Sequence, residues 1–232
     1  MPLLDHFRPP LDGRRNWRAF HNAWASCIAF ELNAQLPEGY FAEPNAQFGV
    51  EIDVAAFEEM MGPGGRPAGG WTPPDPSATI PLTLITDSVE VSIFASEEGP
   101  ILAGAIELVS PANKDRPAQR DAFTSKCAAY LQAGVGTVVV DVVTSRGGDL
   151  HAELMARLFA PWTKSIAILY SAAYRPAGRE GEGHLDIWHE PISLGGPLPV
   201  MRLWLKGGPC LPVDLGATYD RTRRELRMAD GA

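Results

Sequence analysis

The tightest constraint on this chain is a three-part run: PILAGAIELVSP (100–111), RPAQRDAFTSKCAAYLQAGV (116–135) and GTVVVDVV (136–143). The first segment is a β-branched-rich run that reads as a buried strand, and the last is a continuous apolar run suited to a strand covered on both faces. The middle one places Phe123, Cys127, Tyr130 and Leu131 on a helical stripe and Gly134 at its end, a helix with a glycine stop. Strand, helix, strand at this spacing is a βαβ crossover with parallel strands, and such connections are right-handed in nearly all proteins. The expected fold is therefore α/β: a mixed central sheet with flanking helices.

Glu107 stands in the middle of the first of these strands. A carboxylate in an apolar strand is costly to bury unless a cation, a metal ion or a set of donors meets it. Lys126 lies one step around the helix from the core stripe, toward Ala122 and Ala129, where its aliphatic stem can follow the sheet and carry the ammonium to the strand end. Asp53, in the alternating stretch VEIDVA, is a second acid that a neighbouring strand could bring to the same side. Two carboxylates and a lysine suit Mg²⁺ or Mn²⁺ and the hydrolysis of a phosphodiester, with Asp53 and Glu107 as metal ligands and Lys126 handling a water. The plainer alternative is a buried ion pair that holds the crossover helix on the sheet. Ser110, Asn113 and Lys114 follow the strand as SPANK, placing hydroxyl, amide and ammonium where α/β sheets contact substrates; the alternative is a plain turn in which Pro111 ends the strand and Asn113 bonds its own backbone.

Elsewhere, NWRAFHNAWASCIAFELNAQL (16–36) reads as a long amphipathic helix ending by Pro37, and YFAEPNAQFGVEIDVAAFEE (40–59) as extended chain. Residues 61–81 are so rich in glycine and proline that a loop or insertion is expected inside one domain spanning 1–232. TLITDSVEVSIFASEEG (83–99) should form a hairpin with the strand that begins at residue 100. Further on, DLHAELMARLF predicts a helix, SIAILYSAAY, HLDIWHE and VMRLWLKG predict strands, RPAGREGEG predicts a loop, and Asp214 predicts the N-cap of a last helix.

The net charge of −8 over 232 residues leaves no broad basic surface, though a local basic groove stays open. Cys27, Cys127 and Cys210 show no paired spacing and read as reduced thiols of a cytoplasmic protein. No stretch has the length of a membrane span. His6, His21, His184 and His189 lack zinc-ligand spacing. Asp141 and Glu31 read as a strand-end cap and a helix-surface residue before they read as further metal ligands.

Several of these segments resemble known families. ELVSP followed by KCAAYLQAGVGTVVVDVV is similar to the Uma-type restriction endonucleases, whose pattern runs E-V-L-S-P, then K-x-x-x-Y-x-x-A-G-V, then an apolar strand ending in Asp; the matching residues are Glu107, Lys126, Tyr130, Gly134 and Asp141. The order Asp53, hairpin, Glu107, lysine resembles the PD-(D/E)XK nuclease superfamily, with its restriction-endonuclease-like core. Over nearly the whole chain, MPLLDHFRPPLDGRRNWRAFHNAW, LPEGYFAEPNAQFGVEIDVAAFE, AIELVSPANK and LPVDLGATY resemble the bacterial family called domain of unknown function 4058. The resemblance implies a Mg²⁺- or Mn²⁺-dependent nuclease with nucleic acid as partner. It departs at Val109, where the superfamily pattern places its lysine, so that role would pass to Lys126 or Lys114, and at Asp53, which lacks the usual preceding proline. The competing expectation is a catalytically inactive nuclease-fold protein that serves as a binding or assembly module, with VMRLWLKG as a candidate edge for a homodimer. No membrane partner is expected.

Overall fold

The computed structural model describes residues 2–48, 50–58, 72–82, 101–158, 168–179 and 182–228. In chain order, α1 (Trp17–Asn33) leads into β1 (Tyr40–Phe48) and β2 (Val50–Glu58), followed by β3 (Ala78–Leu82) and β4 (Ile101–Leu108). Then come α2 (Pro111–Asp115), α3 (Pro117–Gln132), β5 (Gly136–Asp141), α4 (Leu150–Arg157), β6 (Tyr170–Arg179) and β7 (Glu182–Pro191). The described chain closes with β8 (Val200–Trp204), β9 (Cys210–Asp214) and α5 (Leu215–Glu225).

Seven strands form one sheet in the order β1-β2-β4-β5-β6-β7-β3. The β4–β5 pair is parallel and the other pairs are antiparallel, so the sheet is mixed and the crossover lies at its centre. Side-chain alternation divides the core in two. On one face Val109, Val139, Tyr170 and Tyr174 pack against Phe123, Cys127 and Leu131 of α3 and Leu154 of α4. On the other, Ile106 and Val138 pack with Trp24 and Ile28 of α1, Tyr219 of α5, and Met201 and Leu203 of the small β8–β9 sheet. Cover on both sides is the reason β4 and β5 are almost wholly apolar. Each fully buried Ile or Leu here contributes about 1.5–3 kcal/mol.

Two glycines do specific work. Gly134 ends α3 with φ +79°, in the left-handed region that the stop requires. At Gly136 a Cβ would lie 1.9 Å from the carbonyl oxygen of Trp204, so the end of β8 rests directly on the first residue of β5.

The structure redraws several sequence expectations. The extended stretch from Tyr40 is a hairpin of β1 and β2. The glycine- and proline-rich loop does not reach residue 81, because Ala78–Leu82 is an edge strand on β7, where Pro81 is tolerated since one side of an edge needs no ladder bond. Residues 83–100, the expected hairpin partner of β4, lie outside the described residues, as do 59–71; the antiparallel neighbour of β4 is β2. RPAGREGEG belongs largely to strands, since β6 and β7 pair from Tyr170–Pro191 to Arg179–Glu182. β9 is an addition, and α1 ends at Asn33, short of Pro37. Asp214 caps α5 through the Ala217 N–H as predicted, at 2.8 Å. Cys27, Cys127 and Cys210 are free thiols. No helix among the described residues is long and apolar enough to cross a membrane.

Candidate functional site

Strands β2 and β4 part company at the end of β4, and the groups exposed by that fork define the site. Their ladder's last pair on this side is Val54 opposite Ile106, which puts Asp53 opposite Glu107 one step beyond. If pairing continued, the backbone of Leu108 would turn to β2. Instead its N–H donates to Asp53 Oδ2 at 2.7 Å and its carbonyl accepts from His21 Nε2 at 2.8 Å. The donation fixes the His21 proton on Nε2, and the same nitrogen lies 3.4 Å from Asp53 Oδ1. Side chains from α1 and β2 thus satisfy backbone groups that the ladder has abandoned.

Glu107 points to the α3 side of the sheet and is 2% exposed. Lys126 Nζ donates to its Oε2 at 2.7 Å, so the partner read from the helix is the one that meets it. Burial alone would lower the Lys126 ammonium, but the Glu107 charge and its hydrogen bond outweigh burial, with smaller help from Cys127 and Asp53, and the pKa rises. The same acids surround two neighbours on α3. Burial first, and then the Glu107 charge, push up both the Cys127 thiol and the Tyr130 phenol.

SPANK is not an open turn. Ser110 and Asn113 form the capping box of α2, with Asn113 Oδ1 accepting from both the N–H and the hydroxyl of Ser110 at 2.8 Å. Lys114 is buried and its Nζ donates to Asp141 Oδ2 at 2.8 Å, while Asp141 Oδ1 accepts from the Val143 N–H at 3.0 Å. Burial raises the Asp141 carboxyl despite the lowering influence of Lys114 and Val143. The three residues expected to contact substrate are thus occupied with the chain's own folding, and the Lys114 ammonium has no face toward solvent. Val109 is wholly buried against the α3 layer, leaving no cation at that point of the strand.

Asp53, Glu107 and Lys126 are therefore brought together, and Ser110, Asn113 and Lys114 are set to structural tasks. His21 belongs to the site and was missed, because nothing within four residues of it in sequence marks a histidine that will cross to a strand end 87 residues away. Two carboxylates facing each other across a fork fit a hard divalent ion, which takes one or two such groups and completes its shell with water. Among the described residues no cluster of three or more His, Cys, Asp or Glu offers a fuller protein cage. No family model matches the chain, and no curated protein or solved structure matches it either.

Proposed function

We propose that this chain is a metal-dependent phosphodiesterase of the PD-(D/E)XK type, in which Asp53 and Glu107 hold Mg²⁺ or Mn²⁺ and Lys126 serves the attacking water or the scissile phosphate. One observation carries the reading: Asp53 stands opposite Glu107 where the β2–β4 ladder stops, with Lys126 at 2.7 Å from Glu107. When bound, the ion supplies Lewis acidity toward a phosphoryl oxygen and acidifies its water. The chain's own residues supply the rest. A raised pKa keeps Lys126 protonated at neutral pH, so it acts as a hydrogen-bond donor and positive charge for a phosphate oxygen, and not as a base. His21 and the Leu108 N–H hold the Asp53 carboxylate in place.

The test is cleavage of supercoiled and linear duplex DNA, single-stranded DNA and RNA by the purified protein with Mg²⁺ or Mn²⁺. Cutting that disappears in Glu107→Gln and Asp53→Asn supports the reading. A folded protein that cuts none of these substrates defeats it. The burial of Val109 favours a second reading, an inactive protein of this fold that binds or assembles. A ligand bound only by the folded state raises stability, so a thermal midpoint unmoved by millimolar Mg²⁺ and Mn²⁺ would support that second reading.

A further inference from the structure

The first twenty residues and the last turn of α5 meet at one end of the molecule, and they bring arginines with them. Arg15 Nη2 donates to the Arg227 carbonyl at 3.1 Å, across 212 residues of chain. Arg14 is the neighbour of Arg15, Arg18 opens the first turn of α1, and the Arg227 N–H is bonded to the Arg224 carbonyl. All five of these arginines are exposed, and none is in an ion pair among the described residues. Arg8, also exposed, sits in the turn just before them.

The acids close by are mostly engaged. Glu225 is bound by Arg221 at 2.8 Å, and Asp5 accepts from Thr144 and from the Phe7 N–H, which leaves Asp12 as the exposed counter-charge in the turn. A protein of net charge −8 therefore concentrates unpaired guanidinium groups at one place. Guanidinium is the side chain whose planar fork matches phosphate oxygens two at a time. The patch also adjoins the fork, because His21, which touches Asp53, lies one turn along α1 from Arg18.

We infer that this arginine end is a nucleic-acid docking surface, which grips backbone phosphates beside the Asp53–Glu107–Lys126 site without reading bases. The inference rests on the phosphodiester reading of that site for its substrate class. It deepens that reading by naming nucleic acid as the substrate and α1 as the side from which it arrives.

The experiment is fluorescence anisotropy of the full chain with labelled duplex DNA and with one of its strands, in EDTA so that no cleavage can occur. Binding is expected, with a log–log salt slope of about −3 to −4 on duplex for four contacted phosphates. Arg14→Gln with Arg18→Gln, whose side chains make no hydrogen bond or ion pair among the described residues, should weaken it about tenfold and flatten the slope by about 2. Arg157→Gln, on α4 in the layer across the sheet from α1 and paired with Asp121, should leave it unchanged. No binding at low salt, or binding that ignores the Arg14/Arg18 change, overturns the inference. So does capture of the protein by phosphatidylserine vesicles when DNA is not bound. DNA binding in EDTA without any cleavage in Mg²⁺ sinks the nuclease reading alone, whereas cleavage with binding untouched by the arginine variants sinks the docking surface alone.

Discussion

Replacing Lys114 with methionine isolates the most deeply buried charge pair in the described chain. Both side chains of the Lys114–Asp141 pair are 0% exposed and the contact is 2.8 Å, so water neither screens the attraction nor solvates a survivor. Methionine keeps most of the stem and removes the cation, which leaves the Asp141 carboxylate with the Val143 N–H as the one remaining bond shown to it. Stranding a buried charge in this way costs about 3–5 kcal/mol. With a urea slope of about 2–3 kcal/mol per molar, the unfolding midpoint should fall by roughly 1.5 M. The sign with pH follows from the raised Asp141 carboxyl. The folded state already protonates more readily than the unfolded one, and losing the cation raises the folded pKa further. As pH falls through that raised value the stranded charge is neutralised, so the gap between wild type and variant should narrow from about pH 8 to about pH 5. Adding Asp141→Asn, which keeps an acceptor for Val143 and carries no charge, should recover more than half of the loss. A loss below about 1 kcal/mol, or a gap that widens in acid, would refute the argument.

Gly136→Ala should destabilise the fold by several kcal/mol, read from the same urea curves, because its Cβ would drive into the Trp204 backbone and no rotamer relieves that; a neutral result would mean that β8 does not rest on β5. His6 and His151 should remain neutral at mildly acidic pH. Burial, helped by Arg223 for His6 and by His189 for His151, lowers them to about 4 and about 3, with Asp5 acting weakly the other way on His6. Since the unfolded chain then takes up protons first, each withdraws up to about 1.4 kcal/mol of stability per pH unit as pH falls below about 6.5. Ring signals followed by NMR should stay flat down to about pH 5, and midpoints near the ordinary histidine value would contradict the burial.

The Glu107–Lys126 contact was legible because both halves are local statements. A carboxylate in a two-sided strand demands a partner, and helical geometry says which lysine of the returning helix can reach it. Gly134 and Asp214 were legible for a similar reason, since a stop and a cap depend on a few residues. His21 was not, because its task exists only once α1 lies across the end of β4. Lys114 and Asp141 were each noticed and never joined, since the one-turn helix that turns Lys114 inward is too short to leave a periodic signal. β3 and β9 were hidden by Pro81 and Pro212, which a central strand would reject but an edge strand and a two-stranded sheet tolerate. The arginine end was invisible for a different reason: its members come from opposite ends of the chain, and the overall charge points the other way.

The two lysine–carboxylate pairs on the helical face span 19 and 27 residues, and both fall inside the segment that runs from β4 to β5. The latch at the strand fork joins positions 55 and 87 apart. Closing the shorter spans sacrifices less chain entropy, which lets the crossover arrange its charges as an early nucleus. In that order of assembly Glu107 already has its lysine when Asp53 and His21 dock, so the longer closure is the one that completes the pair of acids.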